Sequence, residues 1–168
     1  MLGGVRVVAL GGGVACAFTG RWLAALGAEV MFSSARSDRG ELRDVLATAD
    51  LVLDGTGWSA ERWDLDADAL ADLPAVRVTP FGVAGPYVGM PFTPFTLAAL
   101  SGLMWHVGDA DRPPLVQWGD QVEHLAGLHA FAAALAVLWA GGGALEVAAL
   151  EVAAALVGHH TGRYSQVP

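Results

Sequence analysis

The sequence contains no lysine; its 9 basic residues are all arginine. That absence excludes lysine Schiff-base chemistry, pyridoxal phosphate attachment and the lysine of a phosphate-binding P-loop. Charged residues make up only 15% of the chain, and the net charge is -8. An acidic chain repels nucleic acid and anionic membranes, so neither is expected as a partner. Cysteine occurs once, at Cys16, which leaves no intrachain disulfide and fits a reducing, cytoplasmic compartment.

Apolar residues are plentiful by contrast, at 54% of 168 residues, with a mean hydropathy of +0.48. A chain of this length suits one domain spanning 1–168, with either a generous core or apolar surface meant for another chain. A strand–turn–helix start accounts for the apolar stretch at 7–18. Residues 125–140 are apolar apart from His129. That run falls just short of a comfortable membrane span and reads as a buried helix.

Residues 6–10 form an apolar run ending in Gly11-Gly12-Gly13. A helical pattern follows over 15–26, closed by Gly27, and 29–32 reads as the next strand. The charge cluster at 36–43 predicts a solvated loop running into a helix that ends near Ala49. Further strands are expected at 51–53, 75–79 and 144–147. Helices are expected at 65–73, 96–104, 122–139 and 150–157. Turn-rich stretches lie at 81–87 and 108–114, and Gly141-Gly142-Gly143 is a break. Strands alternating with helices predict an α/β fold, a Rossmann-like parallel sheet with helices on both faces.

The turn at 11–16 begins like the G-x-G-x-x-G dinucleotide fingerprint, with Cys16 in place of the third glycine. The next strand ends at Ser33-Ser34, with no acid for a ribose. Ser33, Ser34 and Arg36 suit a 2′-phosphate, so NADP binding through Gly11, Gly12 and Gly13 is one reading. A tight strand-to-helix turn needs glycine with or without a phosphate, which is the plainer reading.

Longer patterns point elsewhere. Arg21-Trp22-Leu23-Ala24-Ala25-Leu26-Gly27-Ala28-Glu29-Val30 is followed by Ala49-Asp50-Leu51-Val52-Leu53. Pro80-Phe81-Gly82-Val83-Ala84-Gly85-Pro86-Tyr87 and Ser101-Gly102-Leu103-Met104 come next. Arg112-Pro113-Pro114, Ala126-Gly127-Leu128-His129-Ala130 and Leu145-Glu146-Val147-Ala148 complete the set. In order and spacing these segments resemble the family III (CaiB/BaiF-type) CoA-transferases, over the N-terminal part of that family's large domain. The resemblance implies a carboxylate that attacks a thioester, carrying acyl groups as mixed anhydrides and CoA as a thioester. The family's catalytic aspartate stands three residues before the Ala-Gly pair, where this chain has Glu123. Asp120, one helical turn earlier, is the alternative acid, and His124 is placed to assist.

The resemblance also exposes departures. The family's arginine in the first turn is Gly12 here, and its Lys and Glu after the second strand are absent from Met31-Phe32-Ser33-Ser34. Its Asn-Phe-Arg segment after the third strand reads Gly55-Thr56-Gly57. The CoA phosphates thereby lose cationic partners, so weak binding of CoA or acyl-CoA is expected and no cofactor is required. Thr93 stands where related racemases carry a catalytic histidine, which argues against racemisation. Family members return from a second domain to complete the first. A chain without that excursion is expected to pair as a homodimer or with a partner chain supplying the missing half.

Tyr87, Trp105, His106 and Trp118 are expected to line a substrate pocket, the alternative being aromatics that cap a small core. Cys16 reads as a packed, unreactive thiol, and His129 as a core or interface histidine. His159-His160 carries no expectation of a metal site. The combined expectation is a divergent, minimal family III-like enzyme acting on an acyl or carboxylate small molecule, for instance a bulky apolar intermediate of a specialised biosynthetic pathway. A non-catalytic family III-like subunit or scaffold is the alternative.

Overall fold

The computed structural model describes residues 1–11, 13–33, 38–58, 73–109 and 111–164. Their strands are β1 (Arg6–Leu10), β2 (Glu29–Ser33), β3 (Leu51–Asp54), β4 (Ala75–Thr79) and β5 (Ala144–Ala148). They form one parallel sheet in the order β2-β1-β3-β4-β5. The helices are α1 (Val14–Ala25), α2 (Arg39–Leu46), α3 (Pro94–Leu100), α4 (Gln121–Ala140) and α5 (Ala149–Tyr164).

The inner strands are apolar at nearly every position because both faces of the sheet are covered. Alternate side chains separate into two cores. Val7, Ala9, Leu51, Leu53, Val76 and Val78 meet Leu23 of α1 and Ala126, Ala130 and Ala134 of α4. On the opposite face Val8, Leu10, Val52 and Ala75 pack with Leu42 and Leu46 of α2.

α4 is long and apolar enough to cross a membrane. In the fold, its Val122, Ala126, Ala130, Ala134 and Val137 instead form a buried stripe at helical spacing. The small alanines let the helix lie close to its neighbours. Gly141, at φ 73°, ends it in the left-handed conformation expected of a glycine terminator.

Two helices differ from expectation. The helix predicted over 96–104 begins earlier, because Thr93 caps it through the Thr96 N–H and Pro94 occupies its first turn. It ends at Leu100, and Gly102 at φ 79° starts a separate 3₁₀ turn over Leu103–His106. The last helix continues past 157 to Tyr164. A single internal glycine such as Gly158 costs only about 1 kcal/mol and does not stop a helix. The helix expected at 65–73 lies outside the described residues, apart from Leu73.

Candidate functional site

In an open parallel sheet, ligands bind beyond the carboxyl ends of the strands, where the strand order reverses. Here that point lies between β1 and β3, whose last residues Leu10 and Asp54 are register partners. The two ends come very close. Gly11 has φ 83°, and a Cβ there would lie 2.7 Å from the Gly55 carbonyl oxygen. Backbone approach therefore accounts for this glycine without a phosphate. Gly13 precedes α1, and no side chain at that position caps the helix.

The cap arrives from a distant part of the chain. The Val14 N–H donates to Glu123 Oε2 at 2.7 Å, joining the N-termini of α1 and α4. Glu123 is only 7% exposed. Burial raises its pKa above the ordinary 4.5; the Val14 bond pulls it down, Asp120 pushes it up and His124 pulls it down. A buried carboxylate on a helix N-terminus is chemically distinct from a solvated acid. In dinucleotide-binding folds a pyrophosphate sits at this helix N-terminus, whose Val14 N–H is here bonded to Glu123.

The other residues of this helix start face outward. Asp120 is exposed, and its side chain makes no capping bond to α4. Its carbonyl oxygen accepts from the His124 N–H at 2.9 Å and lies 2.8 Å from His124 Nδ1. The His124 ring rests edge-on against Phe18, with centroids 5.2 Å apart. Glu123 alone of the three is buried.

Two further polar side chains lie near the ends of these strands, Cys16 on α1 and Asp54 on β3. Cys16 is 1% exposed, and its thiol is pushed up to about 12 by burial first, then by Asp54 and Glu123. Both effects disfavour the reactive thiolate. Asp54 was not singled out from the sequence. Its carboxylate accepts from the Thr56 N–H at 3.1 Å, the Thr56 hydroxyl at 2.7 Å and Arg77 Nε at 3.0 Å. An acid closing the apolar run 51–53 at the carboxyl end of a strand was the available signal.

The expected aromatic wall does not form among the described residues. Trp118 is 95% exposed. Trp105 and His106 line a surface pocket of about 180 Å³ with Asp109, Arg112 and Pro114. Tyr87 packs against Phe81, centroids 5.8 Å apart, and Phe81 lines a different groove of about 670 Å³ with Val88, Met90 and Phe92. Aromatic content alone carried no information on which loop each ring would occupy. His129, expected in the core or at an interface, is exposed on α4, with Nδ1 2.9 Å from the Leu125 carbonyl. Gly12, Ser34 and Arg36 lie outside the described residues, as do the side chains of His159 and His160. No group of three or more His, Cys, Asp or Glu side chains that could hold a metal occurs among the described residues.

The sequence profile of CoA-transferase family III matches residues 33–167. The chain belongs to this family. The family III chain is 44% identical over 62 residues to the succinyl-CoA:(R)-benzylsuccinate CoA-transferase subunit BbsE of Thauera aromatica, a match covering 36% of this chain and 14% of that protein. Among solved structures, Rv3272 from Mycobacterium tuberculosis superposes with a TM-score of 0.81 at 21% identity. A CAIB/BAIF family protein from Brucella suis gives 0.80 at 19%. These alignments cover 98% and 99% of this chain but only 59% and 58% of the solved ones. The family III chain thus spans well under two thirds of the length of these relatives.

Proposed function

We propose that this chain is a divergent family III enzyme in which Glu123 is the acyl-accepting carboxylate. The observation that carries the reading is the burial of Glu123 on the N-terminus of α1, at the carboxyl ends of β1 and β3. A Glu123 oxygen attacks the thioester carbonyl carbon, the C–S bond breaks, and CoA thiolate leaves behind a mixed anhydride. The thiolate then attacks the Glu123 carbonyl, releasing the first carboxylate and leaving CoA on Glu123 as a thioester. An incoming carboxylate reverses the two steps and departs as the new thioester, returning Glu123 to its free form. The Val14 N–H supplies a fixed donor to charge on the Glu123 oxygen throughout. The substrate is an acyl or carboxylate compound, taken in the cytoplasm. Tyr87, Trp105, His106 and Trp118 reach it only where further chain or a partner closes over them. Exposed Leu128 and Trp139 on α4 support assembly as a homodimer or with a partner chain.

One observation favours the scaffold reading instead: Glu123 is also the only described side chain that caps the otherwise uncapped α1. Incubation with acetyl-CoA or succinyl-CoA, hydroxylamine trapping and peptide mass spectrometry separate the two. A hydroxamate on Glu123 that disappears in Glu123→Gln supports catalysis. A label on Asp120 moves the role there, and no label under any of these conditions favours the scaffold.

A further inference from the structure

We infer that Thr19 and Gly127 form a positioning contact that sets where the Glu123 carboxylate meets the N-terminus of α1. The inference deepens the reading of Glu123 as the reacting acid and rests on it for its catalytic meaning. Its structural content stands on the contact alone.

α1 and α4 touch backbone to backbone. A Cβ on Gly127 would lie 2.8 Å from the Ala15 carbonyl oxygen, 3.1 Å from Phe18 Cδ1 and 3.2 Å from Ala15 Cα. Nothing larger than hydrogen fits there without moving a helix. The Thr19 hydroxyl closes the same contact. It lies 2.8 Å from the Ala15 carbonyl oxygen and 2.9 Å from the Gly127 carbonyl oxygen, and it is fully buried. One hydroxyl proton is shared between two acceptors that cannot donate. Removing the hydroxyl leaves two carbonyl oxygens facing each other without a bridging donor.

The contact lies one step from the candidate acid on both helices. On α1, Ala15 directly follows Val14, whose N–H holds the carboxylate. On α4, Glu123 precedes Gly127 by one turn, about 6 Å along the axis. A shift of α4 of a few tenths of an ångström at Gly127 therefore reaches the 2.7 Å bond almost undiminished. The extra methylene of glutamate relative to aspartate makes that spacing matter more, because the carboxylate must fold into a fixed gap between two helix ends.

The test uses the full chain labelled with ¹⁵N and ¹³C. The Val14 amide shift and the titration of the Glu123 carboxyl carbon are followed in Thr19→Val, Thr19→Ser and Gly127→Ala. Asp120 and His124 on α4 and Cys16 on α1 also act on or respond to this carboxylate, so their resonances are followed alongside it. Thr19→Val is expected to shift the Val14 amide upfield and move the Glu123 midpoint further up, and Thr19→Ser to restore both. Gly127→Ala, which suits a helix intrinsically, is expected to disturb the same two signals if Thr19→Val does not fold. Where hydroxylamine trapping labels Glu123, Thr19→Val slows it about tenfold or more. Variants that lose stability yet keep the wild-type Val14 shift and Glu123 midpoint overturn the inference. Absence of any label in the wild type overturns the catalytic reading and leaves the positioning result standing or falling on the resonances.

Discussion

Arg77 on β4 and Asp54 on β3 are register partners, and Arg77 Nε sits 3.0 Å from Asp54 Oδ2 on the α2 side of the sheet. The Asp54 side chain is 6% exposed and the Arg77 side chain 44%. The pair is thus a buried acid closed from outside by a half-exposed cation. Thr56 supplies two further donors from the turn after β3.

Removing one partner of such a pair costs more than removing both. Arg77→Leu leaves Asp54 buried with only the Thr56 donors and is expected to lower stability by about 1–3 kcal/mol. The double variant Asp54→Asn, Arg77→Leu is expected to lose less than the sum of the single changes. Urea denaturation checks both. Strict additivity would show that solvent already screens the pair.

Glu123 gives the stability a definite pH dependence. Burial raises its pKa in the folded chain, so folding favours the protonated form. Its contribution is complete below its ordinary pKa of 4.5 and is lost as pH rises through the higher folded value. Glu123→Gln keeps an oxygen for the Val14 N–H and carries no charge. Its melting temperature is therefore expected to exceed that of the wild type near neutral pH, by about 2–4 °C for each kcal/mol recovered. The gap should close toward acidic pH. A variant that melts lower at neutral pH would show that the charged carboxylate is held favourably.

The sheet was legible in the sequence because parallel strands buried on both faces leave near-continuous apolar runs. β1 and β4 fall where the pattern put them, at Arg6–Leu10 and Ala75–Thr79. The start of α3 was not read, because its signal is the Thr93–Thr96 pair and Pro94 rather than apolar periodicity. At the candidate site, the family pattern put Glu123 first and left Asp120 as the alternative acid. Their different surroundings come from tertiary packing, which buries one against α1 and leaves the other in solvent. Thr19 and Asp54 carried no sequence signal beyond being polar at the edge of apolar stretches. Their partners lie on other elements, at Gly127 and Arg77, and pairing across the fold is invisible to local pattern.

Cys16 should resist modification until the chain unfolds. With its thiol pushed up to about 12, only about one molecule in 10⁴ carries a thiolate at pH 8, and the side chain is buried. Ellman's reagent is expected to react negligibly with the native protein and stoichiometrically in guanidinium chloride. Fast labelling under native conditions would show that the contact between α1 and α4 opens readily, since Cys16 lies in the core beside it.

CoA itself is expected to bind weakly, with a dissociation constant above about 100 µM. Its phosphates need arginine or lysine donors, and charge-assisted bonds to phosphate are the strong ones. The chain has no lysine. The turns after β1, β2 and β3 read Gly11-Gly12-Gly13, Ser33-Ser34 and Gly55-Thr56-Gly57. Arg77, the register partner of Asp54 at the end of β3, is already engaged by it. Isothermal titration with CoA and acetyl-CoA measures the affinity, and Arg36→Ala tests the cation that follows β2. Each 1.4 kcal/mol of binding is a factor of ten, so a dissociation constant near 1 µM would represent about 3 kcal/mol of interaction beyond this expectation. If Arg36→Ala removed that excess, Arg36 would be the phosphate ligand and would compensate for the departures from the family pattern.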